Sequence, residues 1–324
     1  MNESKITSQD VARLAGVSQS AVSRVFTPGA SASKTTIAKV RAAAEQLGYR
    51  PNPLARAMIT GKSRIIGLVV AYLDNQFYPI AIEHLSKALQ DQGYHILVFL
   101  ASNSEDGIES VVADLMDYRV DGIITASVGM SSGLTERCAA AGIPVVMFNR
   151  GQPGSGLSSV TSANVDGGRL VAEFLLAGGH QRIAHIAGWQ GSSTGRDRAQ
   201  GFAQGLAAAG TEAVAVIDGK YDGPTAAAAT RSLMTGANPP DAIFAGNDHM
   251  AFAVMDVLRF DLGLAVPKDV SVVGYDDVPL AAWKSYDLTT LRQPVKRMVE
   301  ATVETLLAQI DDPTRPAQKK SPAR

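Results

Sequence analysis

The sequence predicts a small all-α helix-turn-helix headpiece followed by an α/β core of two doubly wound parallel-sheet halves. Three observations carry this expectation. Residues 6–26, ITSQDVARLAGVSQSAVSRVF, hold two short helical segments with apolar stripes around a glycine. From residue 65 onward, apolar runs of strand length alternate with helical stretches, the pattern of parallel sheets covered by helices on both faces. Residues 1–64 carry ten Lys/Arg against three Asp/Glu, whereas the 324-residue chain as a whole carries −1. A basic head therefore sits on an acidic body, which suggests a nucleic-acid-binding module attached to something else.

In the first segment, Val11, Leu14, Val17, Val22 and Val25 are spaced to face inward on either side of Gly16. Gly16 falls where a left-handed turn residue is wanted, since glycine has no Cβ penalty at positive φ. Ser8 and Ser18 are the expected N-caps, each hydroxyl accepting a backbone N–H. Gln19, Ser20, Ser23 and Arg24 are then left facing outward, on a helix that fits a major groove. A solvated αα-hairpin has the same local pattern, and the basic charge is what favours nucleic acid. A third helix is expected over 34–47, with Ile37, Val40, Ala44 and Leu47 inward and Lys39, Arg41 and Glu45 outward. Gly48 ends it, and Tyr49 is expected to pack back on the three helices. In RPNPLARAMITGKSR, residues 50–64, Asn52 is a good cap and Pro53 suits the first helical position. The helix predicted over 54–59 is too short to persist alone in water, so it is expected to order on binding.

In the core, IIGLVVAYL (65–73), HILVFLA (95–101), VDGIITAS (120–127) and IPVVMFN (143–149) are expected strands. Helices are expected between them over 79–92, 107–118 and 134–141. A second series starts near residue 160, with strands at 182–188, 213–219, 241–246 and 270–276 and helices at 166–177, 196–209, 224–235 and 249–258. LTTLRQP (288–294) then leads into a helix over 295–310. In such sheets ligands bind beyond the carboxyl ends of the strands. Phe77 and Tyr78 lie at one such end and fit either a core pair or an aromatic platform for a ligand. Arg196 and Arg198 flank Asp197, a pattern that solvated ion pairs also give. Asn149, Asn247 and Asp276 each end a strand, and each favours turns for local reasons. Together they suit a hydroxyl-rich ligand, because amide and carboxylate oxygens accept from O–H groups and arginine donates in return.

Signs of catalysis are weak. GWQGSSTG (188–195) lacks the lysine of a P-loop, no GxGxxG follows a strand, and there is no GxSxG elbow. The five histidines show no metal-ligand spacing, and the single Cys138 forbids an internal disulfide. No enzyme activity, cofactor or metal is therefore expected. No run of 18 apolar residues is present, so no membrane span is expected, and MNESKITSQD lacks the apolar core of a signal peptide. A cytoplasmic location is the corresponding expectation.

The chain resembles a LacI/GalR-family transcriptional regulator from about residue 6 to about residue 310. The markers are DVARLAGVS, AVSRV, LGYRPNPLAR, GKSRIIGLVV, YLDNQFYP, IPVVMFNR, ANVDGGRLVAEFL, GHQRIAHIAG, RAQGF, AGNDHMA, VSVVGYDD and LTTLRQP. The resemblance implies a headpiece (1–50), a hinge helix and linker (51–63) and a periplasmic-binding-protein-like core (64–310). One half of the core would comprise 64–161 with 291–310, and the other 162–290. It also implies a homodimer on a pseudo-palindromic operator in double-stranded DNA, acting as a repressor under a small-molecule effector. Analogy of fold favours a sugar or sugar derivative, and members of the family also take nucleobases and nucleosides. By position, Gln19, Ser20 and Arg24 match base-reading residues, and Ala55 and Met58 match the minor-groove positions of the hinge helix. Lys5, Lys34 and Lys39 are candidate phosphate contacts, and Ser23 shares the outward face of Gln19, Ser20 and Arg24. Arg198, Asn247 and Asp276 match effector positions, joined by Phe77, Tyr78, Asn149 and Tyr221. Met58, Tyr72, Gln76 and Ala163 depart from the residues usual at their positions. DDPTRPAQKKSPAR (311–324) stands where the family adds one or two strands. It is expected to be poorly ordered, with SPAR as any strand remnant. No leucine heptad follows, which favours a dimer over a tetramer. The competing reading is a cytoplasmic sugar-binding sensor that does not bind an operator.

Overall fold

The computed structural model describes residues 6–27, 30–50, 61–101 and 105–322. The chain divides into two compact units, residues 1–63 and 64–324. The predicted hinge helix over 54–59 lies outside the described residues.

In the first unit, helices α1 (Ser8–Ala15), α2 (Gln19–Val25) and α3 (Lys34–Leu47) enclose a small core of Val11, Ala12, Ala15, Val22, Val40, Ala43 and Ala44. Gly16 adopts φ 65° between α1 and α2, as the turn requires. Two expectations are corrected here. The cap of α1 is Thr7, not Ser8: the Thr7 hydroxyl accepts from Asp10 N while the Thr7 N–H donates to the Asp10 carboxylate. That reciprocal box satisfies two backbone groups where a lone serine satisfies one. Leu14 is not in the core but 46% exposed. Ala12 and Ala15 occupy the helix face it was expected to fill. Val17, Val25, Leu47 and Tyr49 close the rim, and Tyr49 meets Phe26 at 6.0 Å between ring centroids.

The second unit contains two all-parallel sheets. The first is built from β1 (Ile65–Val70), β2 (His95–Leu100), β3 (Gly122–Ala126), β4 (Val145–Phe148), β5 (Ser158–Val160) and β11 (Lys319–Lys320), in the order β11-β5-β4-β3-β1-β2. Helices α4 (Phe77–Asp91), α5 (Glu105–Asp117) and α6 (Ser132–Ala140) alternate with its strands. The second sheet has β6 (Ile183–Ala187), β7 (Ala215–Asp218), β8 (Ala242–Ala245), β9 (Ser271–Asp276) and β10 (Thr289–Arg292), in the order β10-β9-β8-β6-β7. Its helices are α7 (Asn164–Ala177), α8 (Ser193–Ala208), α9 (Gly223–Met234) and α10 (Asp248–Asp256). The chain crosses to the second half after β5 and returns after β10. There α11 (Val295–Asp311) packs Met298, Val299, Val303 and Leu306 into the core of the first half.

The tail is a further correction. Lys319 and Lys320 pair in parallel with Ser159 and Val160 and form the edge of the first sheet. Ser159 N donates to Gln318 O at 2.8 Å, and Thr161 N donates to Lys320 O at 3.0 Å. Lys320 also bridges to Glu304 of α11 at 3.0 Å. The remnant strand is KK, not SPAR. A polar sequence suits it because an edge strand has one side open to water.

Candidate functional site

Two sets of residues stand out, one on each unit. On the headpiece, Ser18 caps α2 by accepting from Ala21 N at 3.2 Å. Ala21 and Val22 turn inward, which leaves Gln19, Ser20, Ser23 and Arg24 exposed on one face. The Gln19 amide donates to Ser8 Oγ at 2.9 Å, so Ser8 links the two helices of the motif. A shallow hollow beside Arg24 is lined by Ala21, Ser31, Ser33 and Thr36. Lys34 and Lys39 are exposed on α3. Lys5, Ala55 and Met58 lie outside the described residues.

On the core, a cleft of about 380 Å³, counted to its open mouth, lies between the halves at the carboxyl ends of the strands. Arg198 forms its floor at 3% exposure. Its Nε donates to Asn164 Oδ1 at 2.9 Å and its Nη1 to Gly246 O at 2.7 Å, while Nη2 lies 3.5 Å from Asp276 Oδ1. The guanidinium stacks 3.7 Å from the centroid of the Tyr275 ring. Local sequence brings Arg198 there. A Cβ at Gly168 would strike the Arg198 carbonyl oxygen, and one at Gly201 would strike that of Val165. Bare glycines therefore let α7 and α8 approach closely, which seats Arg198 against Asn164.

Asp276 sits at the end of β9 with φ 133° and accepts from Gln293 Nε2 at 2.7 Å. Asp277, at φ 59°, points elsewhere and bonds to Arg292. Burial pushes the Asp276 carboxyl up, Arg198 pulls it back, and Asp248 pushes it up again, to about 7. Asp248 is itself raised to about 6, mainly by burial, although it accepts from Thr290 Oγ1 at 2.5 Å and Val278 N at 2.9 Å. Asn247 caps α10 by accepting from Met250 N at 2.9 Å. Asn149, at φ 65°, donates to the Tyr78 hydroxyl at 3.2 Å. The Tyr221 hydroxyl donates to Thr194 Oγ1 at 3.1 Å. Asn149 Oδ1, Asn247 Nδ2 and Gln293 Oε1 are buried without hydrogen-bond partners. A buried polar atom left unpaired is costly. Asn149 and Asn247 line the cleft, and Gln293 stands behind Asp276, so the cleft is set to accept and donate bonds.

Six of the seven sequence-predicted cleft residues line this space: Tyr78, Asn149, Arg198, Tyr221, Asn247 and Asp276. Phe77 does not. It is buried in the core, stacked 6.2 Å from Phe148 and edge-on to Tyr78 at 5.3 Å. Of the two readings open for this pair, Phe77 is core and Tyr78 faces the cleft. Sequence reasoning missed Asn164, Thr194 and Gln293. Gln293 directly follows β10, and the strand-end argument that found Asp276 applies to it equally. Among the described residues, no group of three or more His, Cys, Asp or Glu is placed to hold a metal ion. No helix there is long and apolar enough to cross a membrane.

Comparison with known proteins adds the following. Residues 7–52 match the model described as bacterial regulatory proteins, lacI family, and residues 172–324 match a periplasmic binding protein-like domain. The HTH-type transcriptional repressor PurR of Vibrio vulnificus is 32% identical over 94% of this chain and 92% of its own length. The ribose operon repressor of Escherichia coli is 32% identical over 97% of this chain and 96% of its own. Among solved structures, the lac repressor dimer bound to operator and the anti-inducer ONPF is similar at TM-score 0.87 and 27% identity, covering 98% of this chain and 96% of that one. The transcriptional regulator CelR in complex with cellobiose is similar at TM-score 0.74 and 32% identity, covering 98% and 97%.

Proposed function

The chain belongs to the LacI family of bacterial regulatory proteins, and from that membership we propose how its parts divide the work. It is a sequence-specific DNA-binding transcriptional repressor controlled by a small carbohydrate or carbohydrate derivative in the core cleft. Two copies act as a homodimer on a pseudo-palindromic operator, in the cytoplasm where that DNA is. Gln19, Ser20 and Arg24 read base edges in the major groove. Ser23, Lys5, Lys34 and Lys39 contact phosphates, and Ala55 and Met58 enter the minor groove, where an apolar side chain can part a base step. Arg198, Asn247 and Asp276, helped by Asn149, Tyr221 and Gln293, hold the hydroxyls of the effector. The cleft binds and is assigned no reaction.

The observation that carries this reading is the pair of unpaired buried atoms on cleft-lining residues, the acceptor Asn149 Oδ1 and the donor Asn247 Nδ2, beside the Asp276 carboxyl and the Arg198 guanidinium. Such a mixture matches the alternating O–H donors and acceptors of a polyol. The named complexes of relatives support it, one with operator and one with cellobiose. The test is selection of a preferred duplex from a random pool, followed by affinity measured against salt and against a carbohydrate panel. A preferred duplex, a steep loss of affinity with salt and a change of affinity with one compound are expected. Compound binding with no duplex preference would favour the sensor reading instead.

A further inference from the structure

Arg150, next in sequence to Asn149 of the cleft, helps to wall a second lobe of about 810 Å³, counted to its open mouth, together with Met130, Leu134, Met147, Gln152 and Trp189. Arg150 leaves β4 directly after Asn149 and is 7% exposed. Its guanidinium lies 5.2 Å from the centroid of the Trp189 ring. Arg150 Nε is buried without a hydrogen-bond partner, and no carboxylate pairs with this arginine among the described residues. Gln152 is not free to serve it, because its Oε1 accepts from Met130 N at 3.0 Å and its Nε2 donates to Met130 O at 2.8 Å. No described residue of the wall is acidic.

Two helices begin at the edge of the lobe. Ser131, which lines it, caps α6, and Gly191 lies one residue before Ser192, the cap of α8. Helix N-termini carry partial positive charge and favour anions. The charge of Arg150 also reaches Tyr72 and Tyr78 of the first lobe, where it opposes the upward pull of burial on both phenols. Asn149 lines the first lobe and Arg150 the second, and consecutive Cα atoms lie about 3.8 Å apart, which is within the span of one sugar derivative. A buried guanidinium without a counter-charge is unfavourable, whereas a phosphate or carboxylate takes it in a bidentate pair.

We propose that the effector is an anionic carbohydrate derivative, a polyol carrying a phosphate or a carboxylate, whose negative group sits on Arg150 in the second lobe. This rests on the reading of the cleft as an effector site and narrows the class of ligand.

Thermal melts of the full chain test it, with wild type, Arg150→Met, Arg150→Lys and Arg198→Ala compared. The probes are inorganic phosphate against chloride at matched ionic strength, glucose 6-phosphate, ribose 5-phosphate, gluconate, galacturonate, and neutral glucose, ribose and galactose. A saturable rise in Tm with phosphate is expected in wild type and Arg150→Lys and is expected to vanish in Arg150→Met. One sugar phosphate or sugar acid should bind at least about tenfold more tightly than its neutral parent, a margin that Arg150→Met removes. Which of the two anions responds identifies the source. Without ligand, Arg150→Met should melt no lower than wild type, since an unpaired buried cation gives way to an apolar chain of similar length. A phosphate response that survives Arg150→Met, no phosphate response in wild type, or a ligand-free variant that melts well below wild type overturns the proposal. Neutral sugars that protect wild type and Arg150→Met alike, but not Arg198→Ala, overturn it while leaving the effector cleft intact.

Discussion

Arg24 is exposed on the outer face of α2, with Ala21 and Val22 turned into the headpiece behind it. Arg24→Ala should therefore leave folding intact and lower specific affinity by about 1–3 kcal/mol at a single base position. Binding measured across operator variants checks this, and an unchanged preference profile would refute the assignment. Arg198 is the opposite case, a buried cation bonded to Asn164, Gly246 and Asp276. Arg198→Ala should destabilise the core by roughly 3–5 kcal/mol, because it strands a buried carboxyl. Urea unfolding reads this loss. It should shrink below pH 6, where Asp276, pushed up to about 7, takes a proton and no longer needs the cation. His185 sets a second pH dependence. It is buried in β6, its ring stacks 4.4 Å from Phe244, and its Nδ1 is 2.9 Å from Phe244 O. Nε2 has no partner, so protonation there would bury an unpaired charge. Burial depresses this imidazole from 6.5 to about 4. The sign follows from the depression: its contribution is complete above 6.5 and lost as pH falls through 4. A shift of that size corresponds to about 3 kcal/mol. His185→Phe should flatten the loss of stability between pH 6.5 and 4. An unaltered acid limb in the variant would show that other groups govern it.

Strand β11 is two residues long, yet it covers the edge of β5 and ties it to α11 through Lys320 and Glu304. Truncation after Asp312 removes the backbone bonds to Gln318 and Lys320, each worth about 1 kcal/mol net. The melting temperature of the core should fall accordingly, and an unchanged melt would show the edge needs no cover. This strand was not legible in the sequence. DDPTRPAQKKSPAR has the composition of a solvated segment, and composition does not register a few backbone bonds offered by an existing sheet edge. Strand β5, SSV at 158–160, was missed for the same reason, whereas the strands built from continuous apolar runs were legible because such runs have few other places to go. Helix starts were less so. Helix α4 begins at Phe77 and α8 at Ser193, two and three residues before the expected starts. At α8 the cap is Ser192, inside a Gly/Ser-rich stretch read as loop. At the site, strand-end logic pointed to Asn149, Asn247 and Asp276, while Arg198, inside α8, was reached only through the family resemblance. The same logic took Phe77 and Tyr78 as a pair, although successive side chains of a helix diverge by about 100°. Asn164 was missed because its role depends on the close approach of α7 to α8, which only a three-dimensional contact reveals.

At the scale of the whole molecule, the charge asymmetry and the cleft belong to one mechanism. The first 64 residues carry a net +7 while the rest of the chain is acidic. Electrostatic affinity for duplex DNA is thus concentrated on the headpiece and should fall with salt by a log–log slope near −0.9 per phosphate neutralised. Selectivity for an operator then has to be governed from the core, and the governing ligand acts only by its differential affinity for two states. Linkage makes this a quantitative demand. If the effector changes operator affinity by some factor, operator DNA must change effector affinity by the same factor, typically 5- to 150-fold. The check is a thermodynamic square: DNA affinity with and without saturating effector, and effector affinity with and without saturating operator, at one salt concentration. The two ratios should agree, and Asp276→Ala should collapse both by removing the ligand's hold on the cleft. A ligand that binds the cleft tightly while leaving DNA affinity unchanged would have no differential hold on the two states, and the regulatory reading of the core would fail with it. Equal ratios that survive Asp276→Ala would instead move the effector to another site.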